Sequence, residues 1–418
     1  MKEKIKIGYV GLGRRGKGML RECFAQMKDV EVAYVCDLAE HRIAEGVQIV
    51  SEKGGYAPKT TTDYREILAD PAVDALVIMT GWSGRPAIAM DAMRAGKYAA
   101  IEVGCADTLD ECYDLVKTYR ETGVPVMMLE NCCYGRREMM IYNMDKLGLF
   151  GQIVHCTGGY MHYLNHEDLF RNIDKEDPPH YRLPHYISRN RENYPTHEFG
   201  PLSKLLKINR GNRILSLSSF ASASAGLKQF AADQFGADSK YAKIDYKQAD
   251  IVTTVLTCAN GQTVVLTLDT TIPRPYYSRN LSVRGTKGMT NEDTKVVFLD
   301  GMQEKVRDNE AEFREKYDHP LHVEYESMGT RGGHGGMDWL VSRAFVEAVK
   351  HETDTPIDAY DTATWLAIGV LSEQSIQSGG APVAFPDFTD GLWNTDRPIL
   401  RGKYCLDDVC EDPTVPIF

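Results

Sequence analysis

The sequence predicts two fold classes in series: an N-terminal α/β unit on a doubly wound parallel sheet, then an α+β unit. The second unit reads as a large open, mostly antiparallel sheet with helices on one face. Three observations carry this. A glycine-rich turn, Gly11-Leu12-Gly13-Arg14-Arg15-Gly16, lies between a strand-like and a helix-like segment. Strand and helix patterns then alternate over about 130 residues, as a parallel sheet requires. From Gln152 onward, long alternating segments are joined by hairpin-type turns.

The elements follow in order. Lys4–Val10 alternates as a strand, the glycine turn follows, and GKGMLRECFAQM continues as a helix. A second apolar run, Val30–Cys36, ends at Asp37, 21 positions after Gly16. That is the β-turn-α-β arrangement of a dinucleotide-binding Rossmann unit, in which an acid stands about 20 residues after the glycines. Gly11 permits the tight turn, Gly13 lets the backbone approach a pyrophosphate, and Gly16 lets the helix pack on the strand. The helix N-terminus offers N–H groups and a positive dipole end to the phosphates, flanked by Arg14 and Arg15. Asp37 would accept hydrogen bonds from the adenosine ribose, which favours NAD; Arg42 nearby is the feature that would favour NADP.

Tyr64–Ala69 predicts a short helix and Val73–Thr80 a buried parallel strand. Ala87–Ala95 predicts a helix, Tyr98–Val103 a strand, Leu109–Thr122 a helix and Val124–Leu129 a strand. Ligands in such sheets sit beyond the carboxyl ends of the strands. Thr80, Trp82, Glu102, Glu130 and Asn131 occupy that position. Arg136–Leu147 reads as a helix, and Ile153–Tyr160, Ile214–Ala221, Asp250–Ala259, Gln262–Thr270 and Leu281–Gly285 as strands. The Asn260-Gly261 dipeptide joins two of them as a hairpin. Asp174–Pro195 is a polar stretch without periodicity, the type of loop that carries function. Met337–Lys350 and Thr362–Ser378 predict late helices. The domains expected are 1–130, binding the cofactor, and 131–418, binding substrate and forming the oligomer.

Composition narrows the function. The 418 residues are 43% hydrophobic and 26% charged, ordinary for a globular chain. A net charge of −11 with no basic run excludes nucleic acid as a partner. The longest apolar stretch falls far short of the ~20 residues of a membrane span. MKEKIKIGYVGLG runs straight into a strand, with no apolar signal region or twin arginine before it, so the expected location is the cytoplasm. The ten cysteines are scattered with no CxxC pair, which predicts free thiols and no structural zinc.

Candidate chemistry clusters in the second unit. Pro195 forces an extended approach to a helix that Thr196 can cap, placing His197 in its first turn. Tyr160 ends a strand that can reach the cofactor crevice, and Gly332-Gly333-His334-Gly335-Gly336 is a flexible loop before a helix. His162 and His166 are four apart, with His180 and His185 downstream. They lack a zinc-binding motif, so no metal is expected.

These runs resemble a known family. The two-unit architecture is similar to the Gfo/Idh/MocA oxidoreductase superfamily, and several motifs resemble its NAD-dependent glycosidases, glycoside hydrolase family 109. The matching runs are Met128–Tyr134, Gly158-Gly159-Tyr160, Tyr194-Pro195-Thr196-His197, Ile208–Gly211, Pro273–Tyr276, Gly285–Gly288 and Gly333–Asp338. Sugar dehydrogenases of the superfamily usually carry Glu-Lys-Pro where this chain has Glu102-Val103-Gly104. Valine cannot do acid–base work, and the family-109 pattern also lacks the lysine. The chain departs from that pattern at Glu198, usually glycine, and Asn212, usually aspartate.

The resemblance implies hydrolysis of a terminal sugar, such as an N-acetylgalactosaminide, with tightly bound NAD. C3 is transiently oxidised, the acidified C2 proton is removed, and the glycosidic oxygen is eliminated from C1. Water then adds and the hydride returns. His197 would serve the C3 hydroxyl, Tyr160 the C2 and C1 positions, and Glu130 would orient the sugar. Arg182 and Tyr194 would bind sugar hydroxyls or a substituent, and Tyr276 or Tyr277 would close the pocket. The alternatives are an NAD(P)-dependent sugar or cyclitol dehydrogenase and a non-catalytic sugar or nucleotide sensor. The open sheet face predicts a homodimer or homotetramer.

Overall fold

A computed structural model describes residues 2–171, 173, 180–303, 306–329, 332–395, 400 and 403–406, with the side chains of His166 and Glu167 excepted. The first sheet is parallel, in the order β3 (Lys59–Thr61), β2 (Val30–Cys36), β1 (Ile5–Val10), β4 (Ala75–Ile78), β5 (Tyr98–Ile101), β6 (Val126–Met128). The chain starts in the centre and winds outward both ways, so the order reverses between β1 and β4. That switch point opens a crevice at the carboxyl ends of the strands, where Gly11 begins. The connecting helices are α1 (Arg14–Glu22), α2 (Glu40–Gly54), α3 (Tyr64–Ala69), α4 (Arg85–Arg94) and α5 (Leu109–Thr122). A capping box between Thr108 and Glu111 sets the start of α5, satisfying two orphan N–H groups at once.

After α6 (Arg136–Lys146), β7 (Ile153–Met161) enters the second sheet. Two helices follow, α7 (Arg182–Ser188) and α8 (Thr196–Leu205), then β8 (Ile214–Ala221), α9 (Gly226–Phe235), β9 (Ile251–Cys258) and β10 (Thr263–Asp269). The remaining strands are β11 (Ser282–Gly285), β12 (Gly288–Asn291), β13 (Val296–Leu299) and β14 (Val383–Ala384). Their order is β13-β12-β11-β7-β10-β9-β8-β14. All neighbours are antiparallel except β7 and β10, which run parallel. The sheet is therefore mixed, mostly antiparallel as expected. The Asn260-Gly261 turn joins β9 to β10, with Gly261 left-handed at φ +87°, a conformation glycine adopts without a Cβ penalty.

Alternate residues of β9 and β10 are buried, their partners half-exposed. The buried face packs against α8 and α13 (Ala359–Gln377), the last of the helices α10 (Glu310–Tyr317), α11 (Pro320–Ser327), α12 (Met337–His351) and α13. On the second sheet Val154, Leu215 and Phe220 stay exposed. No helix among the described residues is long and apolar enough to cross a membrane. Nine cysteines are buried free thiols, and Cys410 lies outside the described residues.

Two local expectations are corrected. Pro195, not Thr196, occupies the N-cap of α8, and Thr196 begins the helix without a side-chain cap. Proline's fixed φ already suits a helix entry. His197 is in the first turn as expected. The aperiodic stretch after Asp174 contains the helix α7; residues 174–179 lie outside the described residues.

Candidate active site

The cofactor turn is built as its glycines require. Gly11 is left-handed at φ +97°, and a Cβ there would meet the Met79 and Thr80 backbone. A Cβ at Gly16 would collide with the Gly11 carbonyl. At Gly13 nothing lies within 4 Å of where a Cβ would stand, leaving an open cradle at the N-terminus of α1. That terminus has no side-chain cap, so its N–H groups and positive dipole end are available to a pyrophosphate. Asp37 accepts hydrogen bonds from Leu12 N–H at 2.7 Å and Ala39 N–H at 3.0 Å, which fixes the carboxylate beside the turn. Arg42 lies 4.0 Å from it. These residues fit an NAD.

Arg14 and Arg15 part company. Arg14 is exposed and reaches Asp168 at 3.4 Å. Arg15 turns inward, its Nε 3.2 Å from Glu102 and its two terminal nitrogens each 2.7 Å from an oxygen of Asp338. Asn131 donates to the same Asp338 at 2.7 Å. The Thr80 carbonyl accepts from Arg85, which also bonds the carbonyls of Glu102 and Val103 and so ties the ends of β4 and β5 together. Trp82 is buried, its Nε1 without a protein partner.

Beyond Trp82 lies a second group. His197 Nδ1 is 2.7 Å from Glu130 Oε1, and Glu130 is wholly buried, its other oxygen without a protein partner. Burial pushes the Glu130 carboxyl up, but the charge and hydrogen bond of His197 outweigh it and hold the group below its usual range. The Tyr160 ring lies 4.3 Å from Tyr194 and 5.6 Å from His197 by centroids. Burial raises the Tyr160 phenol, and Arg182, whose Nη1 donates to it at 3.4 Å, pulls the other way. The Arg182 guanidinium sits 4.5 Å over the Tyr194 ring and within 6 Å of Trp82, Tyr160 and Tyr181. A planar cation held against aromatic faces is a geometry lysine cannot reproduce.

Tyr277 faces this group, 6.2 Å from Tyr160 and 5.4 Å from His162. Tyr276 is exposed and stacks under Arg274. The structure thus gathers Glu130, Tyr160, Arg182, Tyr194 and His197 in one group, with Arg182 and Tyr194 against Trp82; Tyr277, half exposed, borders it beside Tyr160, and Tyr276 lies outside. Of the four histidines weighed for metal, His162 bonds the Tyr160 hydroxyl at 3.3 Å. His180 and His185 are pushed down to about 4 by burial and then by Arg182 and Arg191 respectively. The His166 side chain lies outside the described residues. Among the described residues, ligand atoms of Glu130, Cys132 and His197 lie within 4.8 Å of one another. Arg279 donates to Cys132 Sγ at 3.3 Å, a positive charge that opposes a cation there.

Sequence reasoning assigned no role to Asp338, Asp168 or Tyr181. Asp338 closes the Gly333–Asp338 run, and its partners Arg15 and Asn131 stand far from it in sequence.

Residues 134–395 match the profile of the glycosyl hydrolase 109 C-terminal domain, and residues 5–130 that of the oxidoreductase family's NAD-binding Rossmann fold. A glycosyl hydrolase family 109 protein of Stenotrophomonas maltophilia (strain K279a) is 37% identical over 96% of this chain and 93% of its own. The chain belongs to glycosyl hydrolase family 109. Another relative, an alpha-N-acetylgalactosaminidase of Tannerella forsythia, is 36% identical over 94% of this chain and 88% of its own. As a member of family 109 the protein is an NAD-dependent glycosidase. The fold recurs in a levoglucosan dehydrogenase solved with NADH, with TM-score 0.67 and 16% identity over 92% of this chain and 99% of that one. It recurs also in the WlbA dehydrogenase of Bordetella pertussis, with TM-score 0.65, 16% identity and the same coverage. Family 109 thus uses a dehydrogenase scaffold.

Proposed function

We propose that this family-109 enzyme hydrolyses a terminal N-acetylhexosaminide, an α-N-acetylgalactosaminide first among them, by oxidation at C3 followed by elimination. The observation that carries the reading is the His197–Glu130 pair, set against Tyr160 and Tyr194 beside the cofactor crevice. The buried Val103 stands where sugar dehydrogenases place a lysine, so the proton-handling groups come from the second unit.

Gly11, Gly13, Gly16, Arg14, Arg15, Asp37, Thr80, Trp82, Glu102 and Asn131 would hold NAD. Bound there, NAD supplies a hydride acceptor for C3 and returns the hydride at the end of each turnover. His197 takes the proton of the C3 hydroxyl on its Nε2, while Glu130 holds Nδ1 and sets the tautomer. A C3 ketone acidifies C2–H, and Tyr160 removes that proton, with Arg182 countering part of the burial that holds its phenol protonated. The same phenol serves departure at C1 and the addition of water. Arg182 and Tyr194 grip the sugar or its acetamido group, and Tyr277 closes the pocket. Net oxidation is zero, and the paired carboxylates at fixed separation of ordinary glycosidases are not needed.

Within this reading, residues 1–130 form the cofactor domain and 131–418 the substrate and assembly domain. A second copy packs on the open sheet face, where Phe220 stands exposed, giving a homodimer or homotetramer. The nine buried free thiols suit a reducing cytoplasm. A panel of α- and β-nitrophenyl glycosides, assayed with and without NAD, tests the function. The expected result is release of nitrophenol with no net NADH. Steady NADH accumulation from a free sugar would instead make the chain a dehydrogenase, and binding without turnover a sensor. Deuterium entering C2 from solvent tests the elimination.

A further inference from the structure

Asp338 is in the first turn of α12, 323 positions along the chain from Arg15, yet the two meet in a bidentate pair at 2.7 Å. The Asp338 carboxylate, 3% exposed, also accepts from Asn131 at 2.7 Å and contacts His334 Nδ1 at 2.9 Å. One buried carboxylate therefore gathers a side chain from the cofactor turn, one from the end of β6 and one from its own preceding loop. Glu102, on the far side of Arg15, completes the clamp at 3.2 Å.

The loop is shaped for this contact. Gly332, Gly335 and Gly336 are left-handed, and so is His334 at φ +53°. A Cβ at Gly336 would strike the Tyr325 ring, and one at Gly333 would press on the Asp338 carboxylate. Backbone strain of this kind persists only where surrounding contacts over-determine it.

The chemistry gives such a clamp a purpose. An ordinary dehydrogenase must release its reduced cofactor at every turnover. A glycosidase that returns the hydride to the same sugar must keep it, because loss in mid-cycle strands an oxidised sugar. We propose that Asp338 is a positioning residue that fixes Arg15 and Asn131 in the cofactor site and, with His334, latches the Gly332–Gly336 loop to it, so that NAD stays bound through successive turnovers. The purpose rests on the glycosidase reading; the positioning does not.

The test is cofactor retention, read first without any sugar and then as the NAD dependence of turnover on a sugar substrate. Wild-type and D338N holoenzymes are loaded with NAD and chased with excess etheno-NAD, and the release rate and the NAD content after purification are measured. D338N is expected to release NAD about 10- to 100-fold faster, the worth of one charge-assisted hydrogen bond, with the loss falling on the apparent KM for added NAD rather than on kcat. D29N is the control. Asp29 ties α12 to the amino end of the same sheet through Arg343 at 2.7 and 3.0 Å, away from the cofactor turn. A wild-type release rate in D338N overturns the proposal, as does equal acceleration in D29N, which would mean general loosening. Should D338N fail to fold, H334A decides, since the imidazole is more than half exposed: faster release supports the latch and an unchanged rate overturns it. If the glycosidase reading itself fails, wild type accumulates NADH, while the ratio of release rates still reports on Asp338.

Discussion

His197 Nδ1 lies 2.7 Å from an oxygen of Glu130 that no solvent reaches. A carboxylate so placed accepts the Nδ1 proton and leaves Nε2 as the lone-pair nitrogen, directing the base toward the cleft. H197A is expected to lower kcat on a nitrophenyl glycoside by about 100- to 10,000-fold, the span of general acid–base catalysis. E130Q can offer an amide N–H to Nδ1 and reverse the tautomer, so its loss should be of the same order. Both variants should retain NAD on purification. Full turnover in H197A would remove His197 from the chemistry.

Tyr160 and Arg182 are coupled, because the guanidinium 3.4 Å from the phenol opposes the upward push of burial, which still leaves the phenol above its usual range. Y160F should abolish solvent deuterium exchange at C2 and lower kcat by about 100-fold or more. R182A removes the cation that favours phenolate. The rising limb of kcat against pH should then move upward by about one unit, while KM for the glycoside rises. R182K should rescue the pH limb better than KM, since lysine keeps the charge but not the plane over Tyr194.

Gly13 and Gly16 separate cofactor binding from folding. Gly13 has an extended backbone that any residue adopts and open space at its Cβ position, so G13A should melt within about 0.5 kcal/mol of wild type. Its methyl group enters the phosphate cradle, and NAD affinity should fall about tenfold or more. G16A should lose stability as well, because its Cβ meets the Gly11 carbonyl. Titration calorimetry and thermal melts read the two effects apart.

Local patterns were legible where one physical signal decides them. Val30–Cys36, Leu109–Thr122 and Ile214–Ala221 come out with the bounds their apolar runs and caps suggest. The parallel pairing of β7 with β10 was not legible, since alternation reports which face is buried and not which way a neighbour runs. Helix α7 hid because seven residues with Pro184 in the first turn carry little periodicity; it is held by the packing of Arg182 and Tyr186. Asp338 belongs to a recognisable motif, but its role was not legible, because its partners Arg15 and Asn131 are far away in sequence. Tyr276 and Tyr277 are both exposed, and which of them the turn after β10 sets against Tyr160 and His162 is not written in the local sequence.

Glu192 and Glu198 lie behind the site, both buried, with Glu192 accepting from the Tyr194 N–H at 3.2 Å. Burial lifts Glu192 to about 7, and burial together with the charge of Glu192 lifts Glu198 well above the carboxylate range. Two such groups in one apolar site hold a proton between them that the unfolded chain gives up near pH 4.5. The native state then binds more protons than the unfolded one, so stability falls as pH rises from there through 7 and beyond. His180, His185 and His319, depressed to about 4 by burial, act in the opposite sense. Their contribution levels off above the ordinary histidine range near 6.5, while the carboxyl pair goes on acting through the interval above it. Wild-type protein should therefore lose a few degrees of Tm between about pH 6.5 and 8. E198Q, neutral throughout, should lose less, and E198G, restoring the glycine usual in the family, should follow E198Q. Thermal melts of the three proteins across that interval decide it, and parallel slopes would clear the pair of any part in the pH dependence.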